Sequence, residues 1–112
     1  GFLGVHISEK WGGGGGGIVP YAAAKASVEA LTIGLARELA GQNIRVNAVR
    51  PGAINTDLND FSANPAHEKR FAETTPLGRV GEPEEVAEAI LWLLSEQSAY
   101  VNGSILPVTG GR

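Results

Sequence analysis

The sequence predicts an α/β fold in which helices cover a parallel sheet. Helix-forming and strand-forming segments alternate along the chain, in the order helix, strand, helix, strand. This order implies crossover connections, which place consecutive strands parallel to one another. The chain has 112 residues, 43% of them apolar, so it can bury a modest core as one domain of ordinary size.

The N-terminal segment departs from this order. Apolar side chains in residues 1–11 predict part of a helix, and Gly12–Gly17, an unbroken glycine run, predicts a flexible backbone with nothing to bury. Ile18 and Val19 predict the start of a buried strand, which Pro20 stops at once. Because the chain contains no methionine, even at its first residue, we expect its start to be processed, truncated or not included.

Residues 21–40 predict a long helix. Alanine, the strongest helix former, is abundant here. The larger apolar residues follow helical spacing: Val28, Leu31, Leu35 and Leu39. Gly41 is a natural C-cap, because glycine readily adopts the left-handed conformation that ends many helices. The small side chains leave a face that a second helix can approach closely.

A strand and a polar loop follow this helix. Residues 44–49 alternate in polarity and are rich in β-branched side chains, which predicts a strand. Pro51 and Gly52 end it, because both are typical turn residues. Residues 53–76 are polar and irregular, with a short helix predicted near residues 67–73.

The end of the chain predicts a helix and a short strand. Pro83, followed by Glu84 and Glu85, marks a helix start, because proline fits the first turn and acidic side chains suit the helix dipole there. An apolar stripe then follows at helical spacing: Val86, Ala89, Ile90, Leu93 and Leu94. We interpret the acidic residues of this helix as a solvated face. Residues 104–108 predict the last strand.

Composition and charge exclude several classes of function. Nine Lys and Arg against twelve Asp and Glu give a net charge of −3, so we expect no nucleic-acid partner. The sequence has no cysteine, and His6 and His67 lack a ligand-like partner set, so we expect no metal site. The longest strongly apolar stretch, residues 89–94, is too short to span a bilayer, and no signal peptide is visible. We therefore expect a cytoplasmic protein with no membrane partner.

Tyr21 and Lys25 form a candidate catalytic pair. They lie at positions i and i+4 of the predicted helix, so their side chains share one face. A free tyrosine has a pKa of about 10 and is a poor base at neutral pH, but a nearby ammonium group favours the phenolate. The pair is therefore a candidate general acid–base. Taken alone, the same spacing is more often a tyrosine and a lysine at the surface of a helix start.

The sequence around this pair carries a family resemblance. Tyr21-Ala-Ala-Ala-Lys25-Ala opens the helix, and Ile44-Arg-Val-Asn-Ala-Val-Arg-Pro-Gly52 and Ile54-Asn-Thr56 follow it. Further motifs come in order: Pro76-Leu-Gly-Arg, Gly81-Glu-Pro-Glu-Glu-Val-Ala87, Tyr100-Val-Asn-Gly103 and a terminal Gly-Gly-Arg. This series, within Pro20 to Arg112, closely resembles the C-terminal half of the short-chain dehydrogenase/reductase family.

The resemblance implies a Rossmann-like, doubly wound parallel sheet, present here only as its C-terminal part. Residues 1–112 would then be the C-terminal portion of a single oxidoreductase domain. Within it, residues 1–11 would be a partial helix, residues 12–17 the glycine run, and residues 20–112 the catalytic and substrate-loop half. The irregular stretch from Asp57 to Pro76 would be the loop that covers the substrate.

The resemblance also implies roles for individual residues. Tyr21 would be the catalytic acid–base, and Lys25 would lower its pKa and hydrogen-bond the nicotinamide ribose. Pro51 and Gly52 would turn the chain at the carboxyl end of a strand, where open α/β sheets place ligands. Ile54 and Thr56 would contact the nicotinamide amide or the pyrophosphate. The candidate residues for binding NAD or NADP are thus Tyr21, Lys25, Pro51, Gly52, Ile54 and Thr56.

Parts of the family pattern are absent from the sequence. The phosphate loop Thr-Gly-x-x-x-Gly-x-Gly is missing, and Gly12–Gly17 does not replace it, because no strand leads in and no helix N-terminus follows. The Asn-Asn-Ala-Gly segment is also missing. Without these parts, we expect the 112-residue chain by itself not to bind NAD(H) or NADP(H).

Two alignments are open for the catalytic serine. Ser8 lies thirteen positions before Tyr21, a common family spacing. Alternatively, residues 1–11 correspond to the helix before the serine-bearing strand, and Ile18–Val19 begin that strand, which is cut off before its serine. We prefer the second alignment, because it explains the apolar pattern, the glycines and Ile18–Val19 together.

The sequence therefore supports two hypotheses. In the first, the parent protein is an NAD(P)-dependent oxidoreductase that moves a hydride between nicotinamide and the alcohol or carbonyl carbon of a small molecule. The resemblance implies that such a protein is a homodimer or a homotetramer. In the alternative, the chain is a truncated, non-catalytic remnant that acts only as an oligomerisation or interaction module through its alanine-rich helix.

Overall fold

A computed structural model describes residues 18–112 of the chain. The described residues form two compact units. The first holds residues 18–48 with Asn102–Ser104, and the second holds Val49–Val101 with Ile105–Arg112. The partial helix predicted for residues 1–11, the Gly12–Gly17 run and the candidate serine Ser8 lie outside the described residues.

Helix α1 spans Ile18–Leu39 and dominates the first unit. The predicted helix over residues 21–40 is confirmed, but the strand predicted at Ile18–Val19 is wrong, because both residues are helical. Pro20 is compatible with the helix because it lies in the first turn, where the backbone N–H has no intrahelical acceptor and proline's fixed φ suits the helix.

The end of α1 differs from the predicted cap. A 3₁₀ turn over Ala40–Gln42 follows the helix, and Gly41 lies inside it. Asn43, with φ of 60°, takes the left-handed position instead, and its N–H donates to the carbonyl of Ala40 over 3.0 Å. The prediction that Gly41 caps the helix is therefore wrong. Asparagine is the residue that most often replaces glycine in this conformation.

Strands β1 (Ala48–Pro51) and β2 (Ile105–Val108) pair side by side. They run in the same direction, because their bonds advance together along both strands: Ala48 N–H donates to Ser104 O, and Gly52 N–H donates to Val108 O, each over 2.9 Å. The parallel sheet that the sequence predicts is therefore present between these two strands.

The strand predicted over residues 44–49 begins later than expected, at Ala48. Before that point, side-chain amides replace part of the backbone pairing: Val46 O accepts from Gly103 N–H over 2.8 Å, but Val46 N–H donates to Asn102 Oδ1 over 3.0 Å. Asn47 Oδ1 likewise accepts from Ser104 N–H over 2.9 Å. The regular ladder starts only where these side-chain bonds end, which explains the displaced boundary.

Two helices belong to the second unit. Helix α2 covers Pro65–Thr74 and is longer at both ends than the predicted residues 67–73. Asn64 Oδ1 caps its start by accepting from His67 N–H over 3.2 Å. Helix α3 covers Pro83–Leu94 and starts at the predicted proline. Among residues 18–112, no helix combines the length and the apolar character that crossing a membrane requires.

The core of the second unit is small and mixed. Its buried apolar side chains are Ile54, Phe61, Val80 and Leu93. Phe61, only 1% exposed, meets the rings of His67 and Phe71 at centroid distances of 5.6 and 5.9 Å. Ile54 and Phe61 belong to the loop that follows β1, so this core anchors part of the candidate site.

Candidate active site

Tyr21 and Lys25 lie one turn apart at the start of α1. The Lys25 Nζ lies 5.4 Å from the centroid of the Tyr21 ring, within the range of a cation–π interaction. The Tyr21 side chain is 61% exposed. The predicted sharing of one helix face is therefore present in the structure, and the tyrosine is accessible to a ligand.

The polar ends of this pair are uncommitted within the described part of the chain. Neither the Tyr21 hydroxyl nor the Lys25 ammonium forms a hydrogen bond or an ion pair with another residue of 18–112. A phenol hydroxyl can donate and accept a proton, and an ammonium group carries three donors. The pair can therefore supply a proton-transfer group beside a fixed positive charge.

Gly52 lies where β1 ends and the loop begins. Its N–H extends the strand pairing by donating to Val108 O over 2.9 Å. A Cβ atom at this position would stand 2.9 Å from the Cα of Thr109, closer than real Cβ contacts allow. Only glycine fits here, which lets the chain turn directly after the exposed Pro51.

Ile54 is 8% exposed, and its backbone is only partly satisfied. Its carbonyl accepts from the Asn59 Nδ2 over 2.6 Å. Its N–H donates to no residue among 18–112. Within the described residues this N–H is therefore a donor left open for a ligand.

Thr56 is exposed at the surface of the same loop. Its carbonyl accepts two backbone bonds, from the N–H groups of Asn59 and Asp60, each over 3.0 Å. Its hydroxyl makes no hydrogen bond with another residue in the described part of the chain. The loop backbone is thereby held while the hydroxyl stays available as donor and acceptor.

The structure groups the six predicted site residues in two sets. Tyr21 and Lys25 belong to the first unit and contact each other. The other four, Pro51, Gly52, Ile54 and Thr56, belong to the second unit. They lie together on the segment that ends β1 and enters the loop.

An ion pair that the sequence analysis missed lies next to this loop. Arg79 Nη1 and Nη2 donate to the two carboxylate oxygens of Glu85 over 2.8 and 2.6 Å. This bidentate pair holds the pKa of Glu85 at about 2, with a further lowering contribution from the Glu82 N–H, and raises that of Arg79. The interpretation of Glu85 as merely solvated is therefore incomplete, because both side chains are exposed yet paired.

The described residues contain no group of three His, Asp or Glu side chains close enough to hold a metal ion. The only signal in the sequence for the ion pair was the motif Pro76-Leu-Gly-Arg followed by Gly81-Glu-Pro-Glu-Glu. Its arginine, Arg79, and its third glutamate, Glu85, are six residues apart, a spacing that predicts no contact without knowledge of the path of residues 80–82.

Comparison with known proteins identifies the family. Residues 7–112 match the family model described as enoyl-(acyl carrier protein) reductase. The chain belongs to the short-chain dehydrogenase/reductase family. The family resemblance stated from the ordered motifs is therefore confirmed.

Members of the short-chain dehydrogenase/reductase family align over most of the chain. It is 48% identical over 98 residues to the 3-oxoacyl-(acyl-carrier-protein) reductase FabG of Thermotoga maritima, covering 88% of this chain and 39% of that protein. It is 53% identical over 91 residues to the 3alpha-hydroxysteroid dehydrogenase of Mediterraneibacter gnavus, covering 80% of this chain and 36% of that protein. The chain thus spans less than half the length of these curated relatives.

A solved short-chain dehydrogenase/reductase shares the fold. The structure of 4-hydroxyisoleucine dehydrogenase complexed with NADH superposes with a TM-score of 0.75 at 34% identity, covering 81% of this chain and 38% of that one. The likeness confirms the predicted Rossmann-like α/β class, of which the described residues form a part.

Proposed function

We propose that the full-length protein is an NAD(P)-dependent oxidoreductase that moves a hydride between nicotinamide and the carbon of an alcohol or carbonyl group. The observation that carries the proposal is the Tyr21–Lys25 pair, with its ammonium 5.4 Å from the phenol ring and its hydroxyl uncommitted within the described residues. The complex of the related 4-hydroxyisoleucine dehydrogenase with NADH supports the cofactor class.

Tyr21 moves the proton in this mechanism. When a carbonyl is reduced, its carbon receives a hydride and its oxygen takes the proton of the Tyr21 hydroxyl. In the oxidation direction, the Tyr21 phenolate takes the hydroxyl proton of the alcohol as the hydride leaves. Bound nicotinamide supplies or accepts that hydride. Proton transfer by a positioned side chain typically accelerates a reaction by about 10²–10⁴-fold.

Lys25 has two roles in the proposal. Its positive charge beside the ring stabilises the negative charge that develops on the Tyr21 oxygen during proton transfer. Its three ammonium donors also allow a hydrogen bond to the nicotinamide ribose. Both roles fit an ammonium that is close to the phenol and bonded to no other described side chain.

The loop after β1 supplies the remaining cofactor contacts in the proposal. The unpaired N–H of Ile54 fits the amide oxygen of the nicotinamide, and the Thr56 hydroxyl fits either that amide or the pyrophosphate. Pro51 and Gly52 bring the chain to this point at the carboxyl end of β1, where open α/β sheets bind ligands.

Transfer of isotope from cofactor to product tests the reaction. The full-length protein is incubated with NADH or NADPH that carries deuterium at both hydrogen positions of C4, and with carbonyl compounds of the two classes that the relatives' names indicate, a 3-oxoacyl thioester and a 3-oxosteroid. Deuterium on the carbinol carbon of the product is expected, because the hydride comes directly from the nicotinamide. A product without deuterium would contradict direct hydride transfer.

We propose further that the protein is a cytoplasmic homodimer or homotetramer that associates through α1. Alanines at 22, 23, 26 and 30 are exposed on this helix, so a second helix can pack closely against it. Light scattering coupled to size-exclusion chromatography gives the oligomeric state. A monomeric full-length protein would contradict this part of the proposal.

A further inference from the structure

Residues 53–55 are bonded through their backbone to Gly81, which lies shortly before α3. Gly81 N–H donates to Ala53 O, and Asn55 N–H donates to Gly81 O, each over 2.8 Å. These two bonds flank Ile54 and form a parallel bridge to Gly81. Because the N–H and C=O of one extended residue point to the same side, both groups of Ile54 face away from Gly81.

Gly81 allows this pairing because it has no side chain. A Cβ atom there would stand 2.8 Å from the Cδ1 of Ile54. The Ile54 side chain therefore packs directly over Gly81. This contact and the two backbone bonds couple the position of residues 80–82 to that of residues 53–55. Any shift of Gly81 is transmitted to both peptide groups beside Ile54.

The Arg79–Glu85 pair holds the backbone of residues 80–82. The Glu85 Oε2 accepts from Glu82 N–H over 2.8 Å, directly after Gly81. The Arg79 Nη1 donates to Val80 O over 3.2 Å, directly before Gly81. The bidentate bond between the two side chains closes this arrangement, so the backbone on both sides of Gly81 is fixed.

We propose that Arg79 and Glu85 are positioning residues for the nicotinamide contact of the Ile54 N–H. They fix the position of residues 80–82, and the Gly81 bridge in turn fixes the position of residues 53–55. The Ile54 N–H is thereby held in the orientation of the proposed nicotinamide contact. The nicotinamide contact itself rests on the proposed function. The pair acts through Gly81, so neither side chain is assigned a contact with the cofactor.

Amide hydrogen exchange in the free full-length protein tests the positioning. In Glu85→Gln, the bonded amides of Asn55 and Gly81 should exchange about fivefold faster, the scale of one lost hydrogen bond. Amides in α1 should exchange at the same rate as before. Unchanged exchange at Asn55 and Gly81 would overturn the proposal, whatever the protein binds.

Cofactor affinity separates positioning from general stability. Each variant is titrated with NADH and NADPH, and with ADP-ribose and its 2′-phosphate, which lack nicotinamide. Glu85→Gln should weaken dinucleotide binding about fivefold and leave binding of the ADP-ribose compounds unchanged. Equal weakening of both would overturn the proposal. If the wild-type protein binds none of these compounds, the proposed function fails, and hydrogen exchange alone decides the positioning.

Two further variants complete the experiment. Arg79→Lys keeps the charge but loses the planar fork, so its effect should lie between wild type and Glu85→Gln. Glu73→Gln removes a different ion pair of the second unit, Lys69–Glu73 at 3.9 Å, and should change neither exchange at Asn55 nor cofactor binding. An equal effect of Glu73→Gln would overturn the proposal, because loss of any surface charge would then suffice.

Discussion

Asn102 donates a hydrogen bond of 3.0 Å from its side-chain amide to the backbone carbonyl of Ala36, 66 residues earlier in the chain. The oxygen of the same amide accepts from Val46 N–H over 3.0 Å. One side chain therefore joins α1 to the segment that leads into β1. Gly103, with φ of 74°, follows it, and a Cβ there would stand 3.3 Å from that of Ala36.

We predict that Asn102→Ala destabilises the full-length protein by about 1–2 kcal/mol, because two backbone groups lose their partners. Asn102→Asp keeps the acceptor for Val46 N–H but sets a carboxylate oxygen against the Ala36 carbonyl, so it should not restore the lost stability. Urea unfolding gives the free energies. The matched control is Gln97→Ala, which removes an exposed amide that bonds to no other described residue. Equal losses for Asn102→Ala and Gln97→Ala would contradict the prediction.

Tyr21→Phe should reduce kcat by about 10²–10⁴-fold, because the only change is loss of the hydroxyl that moves the proton. Cofactor binding should survive, since the ring remains. Turnover and cofactor titration are measured on the same preparation. The matched control is Tyr100→Phe, which removes the hydroxyl of a fully exposed tyrosine in the other unit and should leave kcat unchanged. Near-normal turnover of Tyr21→Phe would remove this residue from its role.

Lys25→Met separates mechanism from packing. Methionine keeps much of the length and apolar contact of the lysine stem, so a purely structural Lys25 predicts a silent variant. In the proposed role, kcat falls because the charge that develops on the Tyr21 oxygen loses its cationic neighbour, and cofactor affinity falls with loss of a charged donor. The control is Lys69→Met on α2, where the lysine side chain is exposed. An unchanged kcat together with unchanged cofactor affinity would leave Lys25 a surface residue.

Gly81→Ala should destabilise the full-length protein by about 1–3 kcal/mol, because its Cβ would lie 2.8 Å from the Ile54 Cδ1 and force a buried side chain to move. Thermal and urea unfolding give this loss. Gly41→Ala is the matched control, since no atom lies within 4 Å of its added Cβ. A Gly81→Ala protein as stable as Gly41→Ala would show that the bridge has more room than the structure gives it.

The Glu85 carboxylate predicts an acid dependence of stability. Its pKa falls from the ordinary 4.5 to about 2 in the folded chain, so the pair stabilises the fold above about pH 4.5. That contribution is lost as the pH falls toward 2, because the carboxylate is then protonated in both states. Between pH 5 and pH 2, wild type should therefore lose more unfolding free energy than Glu85→Gln, as measured by urea unfolding. Parallel losses would contradict the lowered pKa.

Much of the fold follows from local signals in the sequence. The start of α3 at Pro83 was predictable, because proline and acidic residues favour the first turn without any tertiary contact. The pairing of Tyr21 with Lys25 was predictable for the same reason, since helical spacing alone puts them on one face.

The differences arise where distant residues decide the local structure. Strand β1 starts late because the side-chain oxygens of Asn102 and Asn47 accept backbone N–H groups in place of backbone carbonyls. No local sequence pattern encodes these two long-range bonds. Ile18 and Val19 have strand propensity, yet the helix includes them. The Arg79–Glu85 pair spans residues 80–82, and Gly81 within them is bonded to the distant segment around Ile54.

The Ile54–Gly81 bridge also has a consequence for how this region changes in evolution. The bridge holds Ile54 and Gly81 side by side, and the stretch between them includes the predicted substrate-covering residues 57–76. With both ends fixed, lengthening the stretch adds only a loop-closure entropy of about 0.6 kcal/mol for each doubling of length. Insertions or exchanges between these fixed ends need not disturb the Ile54 N–H. The stretch between Ile54 and Gly81 can therefore change in sequence and length while its two ends keep their position. Substrate preference can then diverge without altering the contact proposed for the cofactor.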